Sequence, residues 1–203
     1  RERILLQEIP PSPPPIFGGT DSTLDATATE FTGLMGGMLG VDGTEASRYQ
    51  IVPAAGVFRR FCMTLITAPG AGTSYAFTLR SGAAGGALSN SSVTLTISGT
   101  DTYECDQTNT MSVIASDRVS ITIVPTGTPT ATDAAWSLEF VPTTNGQLIW
   151  MAGSAGTLDA TANRYFTVAG APTRDSVEAE VYNIIGKQCD AAAWYGEVGT
   201  APD

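Results

Sequence analysis

Tyr75-Ala76-Phe77-Thr78-Leu79-Arg80, the turn residues Ser81-Gly82-Ala83-Ala84-Gly85-Gly86, and then Val93-Thr94-Leu95-Thr96-Ile97-Ser98 decide the fold class. In each hexapeptide every second residue is apolar and its neighbours are small, polar or charged. A period of two puts one set of side chains on each face of an extended chain, so both runs predict half-buried β-strands. The glycines between them permit the reversal that antiparallel pairing needs. Thr and the β-branched residues suit a pleated surface better than a helix.

The same period recurs on either side. Phe61, Met63 and Leu65 alternate with Arg60, Cys62 and Thr64; Val119, Ile121 and Ile123 with Arg118, Ser120 and Thr122; Trp136, Leu138 and Phe140 with Ala135, Ser137 and Glu139. Turn clusters rich in Gly, Pro, Thr and Asp separate the runs. Further strands are expected near residues 30–34, 49–52 and 110–115, which brings the set to about eight. The expected fold is therefore all-β, an antiparallel β-sandwich of jelly-roll type. An immunoglobulin-like sandwich is the second choice, because the Cys…Trp…Cys spacing of antibody domains is absent.

A repeat sets the domain organisation. Thr23-Leu24-Asp25-Ala26-Thr27-Ala28 recurs unchanged at Thr157-Leu158-Asp159-Ala160-Thr161-Ala162. Weaker matches follow, ending with Thr67-Ala68-Pro69 opposite Thr200-Ala201-Pro202. Residues 1–16 read as an N-terminal arm with a Pro-rich spacer, 17–143 as a β-sandwich, and 144–203 as the start of a second, truncated copy. Leu148-Ile149-Trp150-Met151 reads as a strand that closes the first module or opens the second. Half a sandwich leaves edges unpaired and an apolar face bare. The expectation is that sequence beyond Asp203, or strands of another subunit, complete it; a small, different lobe is the third option.

Composition narrows the function. The formal charge is −10 and His is absent. Acidic surfaces repel phosphate backbones, so nucleic acid is a disfavoured partner. Without His, Ser-His-Asp and Cys-His catalysis and His-containing zinc sites are excluded. An enzyme is the least expected class, and no cofactor is expected. No stretch has the ~18–20 apolar residues of a membrane span. Cys62, Cys105 and Cys189 are odd in number with no CxxC spacing, which suggests neither a disulfide framework nor a zinc motif. Cys62 is read as a buried thiol, and assembly in a reducing cytoplasm is expected.

Several residues are candidates for contact. Pro10-Pro11-Ser12-Pro13-Pro14-Pro15 favours a stiff polyproline II spacer. With the apolar residues ahead of it, it makes Ile4, Leu5, Leu6, Ile9, Pro13, Pro14 and Pro15 candidates for binding a partner. Tyr103, beside polar turn residues, is the aromatic most expected to be exposed and is a candidate glycan contact. Arg59-Arg60, placed at a strand start, reads either as a solvated strand end or as a contact for an acidic partner or glycan. Asp101, Glu104, Asp106 and Asn109 offer hard oxygen ligands without EF-hand spacing, and read best as the acidic rim of a turn.

The run from Tyr75-Ala76-Phe77-Thr78-Leu79-Arg80 through Val93-Thr94-Leu95-Thr96-Ile97-Ser98-Gly99-Thr100 and Asp117-Arg118-Val119-Ser120-Ile121-Thr122-Ile123 to Trp136-Ser137-Leu138-Glu139-Phe140 resembles β-sandwich modules of tailed-bacteriophage virion proteins. Such modules occur in capsid decorations, head fibres and tail adhesins. The resemblance implies an assembly role, often as a homotrimer, and transfers no catalytic residue. It leads to the expectation of a structural protein on the virion surface, assembled in the host cytoplasm and anchored by its arm to capsid or other virion proteins. A carbohydrate- or receptor-binding adhesin that contacts a host surface glycan is the alternative; a surface-layer or filament subunit is the third.

Overall fold

The alternating runs form the strands of two antiparallel sheets. The computed structural model describes residues 13, 15–35, 40–151 and 161–163, and the backbone of 165–166 and 174–175. The strands are β1 (Pro15–Gly19), β2 (Glu30–Thr32), β3 (Gln50–Ile51), β4 (Gly56–Leu65), β5 (Gly70–Gly82), β6 (Ser89–Gly99), β7 (Tyr103–Val113), β8 (Arg118–Thr126) and β9 (Ala134–Pro142). The first sheet has the order β1-β9-β4-β7 and the second the order β2-β8-β5-β6, with β3 also paired to β8. Two short strands, β10 (Tyr165–Phe166) and β11 (Arg174–Asp175), pair with each other. Most of 144–203, the segment expected to begin a second copy, including Asp159, Tyr182 and Trp194, lies outside the described residues.

The inward residues of both sheets form one apolar cluster. Phe61, Met63 and Leu65 meet Tyr75, Phe77 and Leu79, Val93, Leu95 and Ile97, Val119, Ile121 and Ile123, and Trp136, Leu138 and Phe140. All five alternating runs thus face the way their period predicts. Phe58 and Phe140 stack tilted at 5.0 Å between centroids, a contact worth about 1 kcal/mol beyond burial. The Tyr75 hydroxyl donates to Thr130 O at 3.2 Å; burial, then the nearby Glu30 and Asp25, push its pKa up to about 12. Trp136 donates its indole N–H to Leu34 O at 2.8 Å. Its ring fills the space beside Gly18, where a Cβ would sit 2.3 Å from the indole, so β1 needs glycine at that point.

The two outer faces differ. Over the second sheet, the segment carrying a 3-10 turn (Glu45–Ser47) folds back across the strands. Glu45 accepts from Arg80 Nε at 2.6 Å and from Ser120 Oγ at 2.7 Å, and Arg80 lies 6.0 Å from the Phe31 ring. This cover explains why Ser120 and Thr122 are buried along with their inward neighbours in β8. No such segment crosses the outer face of the first sheet among the described residues.

Gln50 ties two irregular segments, around Leu34-Met35 and Met151, to the core. It is fully buried, accepts from the backbone N–H of Leu34 at 2.6 Å and Met35 at 2.9 Å, and donates to Met35 O at 2.6 Å. Its amide also reaches Met151 O at 3.5 Å. Leu148-Ile149-Trp150-Met151 is not a strand: it joins no sheet, yet Ile149 and Met151 pack into the core while Leu148 and Trp150 face outward. The strand expected at 148–151 is therefore corrected to an irregular segment held to the core by Ile149 and Met151.

Two further expectations are corrected. Cys62 is no buried thiol: β4 and β7 place it directly opposite Cys105, and the two form a disulfide. Cys62 points outward because the inward positions on either side belong to Phe61 and Met63. Arg59 and Arg60 lie inside β4, not at its start. Phe58 and Phe61 both face inward, three positions apart, which is one residue too many for a regular strand. Against β9 the surplus residue is Arg60, at a β-bulge; against β7 the register also shifts there, but the extra residues belong to β7, between Asp106 and Thr110.

Candidate functional site

The outer face of the first sheet carries the candidate site. Strand register fixes its rows. Phe17, Ser137, Cys62 and Cys105 lie side by side across β1, β9, β4 and β7. Gly19, Ala135, Thr64 and Tyr103 form the row on one side, and Pro15, Glu139, Arg59 and Thr110 a row on the other. Two residues singled out in the sequence for different reasons, Pro15 and Tyr103, therefore share one face. Tyr103 is 60% exposed, as its polar neighbours predict, and its hydroxyl lies against Cys105 Sγ. Pro13 is half-buried. Ile4, Leu5, Leu6, Ile9 and Pro14 lie outside the described residues.

A groove of about 510 Å³ opens on this face, lined by Pro15, Phe17, Arg60, Cys62, Gln107, Ser137, Leu138 and Glu139. Its volume falls in the range of ligand-binding clefts. Phe17 is 64% exposed at its rim. A large aromatic left in water on a strand whose inward neighbour Ile16 is buried is a contact residue in waiting, because its burial would gain roughly 2 kcal/mol.

At the bulge, Arg60 Nη1 pairs with Glu139 Oε1 at 2.8 Å and Arg59 Nε with Glu139 Oε2 at 3.1 Å. Two guanidinium groups thus share one carboxylate, leaving a surplus positive charge on a chain of net charge −10. Arg60 holds a left-handed backbone, φ 52°. That conformation costs a non-glycine residue roughly 1–2 kcal/mol. The Arg60 side chain is more than half exposed, and ion pairs of exposed groups return only about 0.2–1 kcal/mol. The bulge is where a strand accommodates such a conformation, and it turns the Arg60 side chain out of the regular ladder.

The acidic set does not gather. Glu104 and Asp106 lie within β7 and not on a turn rim, because β7 begins at Tyr103, earlier than the apolar pattern indicates. Among the described residues, no three Cys, Asp or Glu side chains are placed to hold a metal. Asp106 instead turns inward at the bulge and replaces missing ladder bonds. It accepts from the backbone N–H of Thr94 at 3.1 Å, Thr108 at 3.1 Å and Asn109 at 3.0 Å, and from Asn109 Nδ2 at 3.0 Å. Desolvation pushes its pKa up, but these bonds, led by those of Asn109, outweigh it and hold the carboxyl at about 2. The Thr94 bond also spans the two sheets, from β6 to β7.

A pH dependence follows. The folded pKa lies below the ordinary aspartate value, so the stabilisation is complete above pH ~4 and is lost as pH falls toward 2. Asp106→Asn is expected to lower stability by roughly 2 kcal/mol at pH 7. The gap between variant and parent should close between pH 4 and pH 2 in urea titrations. A gap that persists at pH 2 would mean the carboxylate is not the source.

Reasoning from sequence missed Phe17, Gln107, Glu139 and the cystine. One signal was present for the bulge: the three-residue spacing of Phe58 and Phe61 around two arginines. Among the described residues, no helix is long and apolar enough to cross a membrane. No family model matches the chain, and no curated protein or solved structure matches it.

Proposed function

We propose that the chain is a structural protein of a bacteriophage virion, a capsid decoration or head-fibre module of jelly-roll type, displayed on the particle surface as a homotrimer and attached through its N-terminal segment. One observation carries the reading. The strand pairs are nested: β5 with β6, β4 with β7, β2 and β3 with β8, and β1 with β9. Nested pairing across two sheets supports the jelly-roll reading, an arrangement used by viral capsid and lectin domains. A fold by itself names no function. The step to a virion leans on the resemblance of the Thr-rich strands and on the arm that enters edge strand β1.

The tandem reading has a local support. Asp25 caps its own turn, accepting from Thr27 N at 2.6 Å, Thr27 Oγ1 at 2.8 Å and Ala28 N at 2.9 Å. Every group involved lies within the repeated hexapeptide, so the identical copy at 157–162 carries the means to make the same turn.

The test uses the full chain. Light scattering should give three times the 21.0 kDa chain mass. Added to particles of the encoding virus stripped of this protein, the trimer should co-sediment, and deletion of residues 1–12 should abolish co-sedimentation but not trimer formation. A monomer that stays in the supernatant would overturn the proposal, and an open-ended polymer would favour a filament subunit.

A second reading, a glycan-binding adhesin, is favoured by the exposed Phe17 and Tyr103 on one face. Tyr103→Ala is expected to abolish specific binding on a glycan array while leaving the melting temperature within about 2 °C, since an exposed substitution costs little.

A further inference from the structure

We propose that the groove at the β4 bulge binds a carboxylate-bearing saccharide, with Arg60 contacting the carboxylate and Phe17 the apolar face of the sugar ring. This rests on the glycan-binding reading and names its site and its ligand class.

Three independent features converge on the groove. The first is charge. Glu139 has both oxygens engaged by arginines, so it neutralises one guanidinium and leaves the other. Arg60 is the one that lines the groove, and its side chain is 58% exposed. It spends one nitrogen on Glu139 and has further N–H donors in a planar fork, a shape matched to carboxylates. The second is the bulge itself. Inserting one residue with φ 52° re-aims Arg60 relative to the regular ladder, at the point where β7 also departs from register and brings Gln107 to the groove. The third is Phe17, an exposed aromatic across the groove from Gln107. An aromatic platform beside planar amide and guanidinium groups suits a ring with one apolar face and a rim of hydroxyls.

The net charge of −10 does not forbid this ligand. At physiological salt the screening length is about 8 Å, so distant carboxylates are damped while a contact pair is not. An acidic peptide would satisfy Arg60 equally but would leave Phe17 without a flat partner, which is why the saccharide is preferred.

Calorimetry on the full chain decides the matter. The probes are uronate- and sialate-bearing oligosaccharides, each beside its carboxyl-reduced counterpart, and a Glu-rich peptide. At least one acidic sugar should bind, its reduced form should bind at least tenfold more weakly, and the peptide should show no saturable heat. Arg60→Asn keeps a residue that tolerates left-handed backbone, and should lose at least tenfold in affinity with an unchanged melting temperature. Phe17→Ser should lose a similar factor. Equal binding of acidic and reduced sugars, peptide binding as tight as sugar binding, or an unaffected Arg60→Asn would each overturn the proposal. If sugars bind and only Tyr103→Ala weakens them, the glycan reading stands and this one falls. If no sugar binds, both fall.

Discussion

Reduction of the Cys62–Cys105 link is expected to lower the melting temperature by roughly 10 °C. The link closes a sequence separation of 43 residues. Constraining a loop of that size in the unfolded chain contributes roughly 4 kcal/mol, and about 2–4 °C accompanies each kcal/mol in a chain of this length. The position of the link adds a structural reason. β7 is an edge strand of the first sheet and leaves register with β4 at the bulge, so the cystine clamps it just beyond the irregularity. Cys105→Ser should reproduce the loss in the absence of reductant, and Cys189→Ser should not. Melting curves that superimpose with and without reductant would show that the two sulfurs are not joined.

Gln50→Leu is expected to cost roughly 2–5 kcal/mol despite its similar size. The fully buried Gln50 amide satisfies two buried N–H groups, those of Leu34 and Met35, and leucine satisfies neither. Each orphaned donor costs about 1–3 kcal/mol. The damage should be regional as well as global. Because the same amide reaches Met35 O and Met151 O, amide exchange near residues 34–35 and 149–151 should accelerate more than in β5 or β6. Uniform acceleration, or a loss under 1 kcal/mol, would mean that water replaces the amide.

What was legible in the sequence was whatever depends on neighbours along the chain. The five alternating runs, the inward Trp136 and the exposed Tyr103 follow from period and local polarity. What escaped depends on register between distant strands. Cys62 and Cys105 carry no spacing signature, and only the pairing of β4 with β7 sets them face to face. The start of β7 escaped because its first residues are polar: Asp106 holds the bulge and Tyr103 faces water, so the apolar alternation that marks a strand is missing there. The site escaped in part for the same reason. Phe17, Arg60, Gln107 and Glu139 come from four strands and meet only when β1, β4, β7 and β9 share a sheet. The cover over the second sheet was hidden too, because nothing local to Glu45 announces Arg80 and Ser120 as its partners.

The nested pairing has a consequence for synthesis. β1 pairs with β9, Pro15 opposite Glu139, so β1 waits for a partner made more than a hundred residues later. At about 5–20 residues per second on the ribosome, that wait is of the order of 6–25 s. During it, Ile16 and the exposed Phe17 have no sheet to join. The innermost hairpin, β5 with β6, is complete long before, and provides a local seed around which the outer pairs close in turn. Nascent chains that stall before Pro142 would carry a paired hairpin beside unpaired outer strands, the state in which strands are most open to pairing with the wrong molecule.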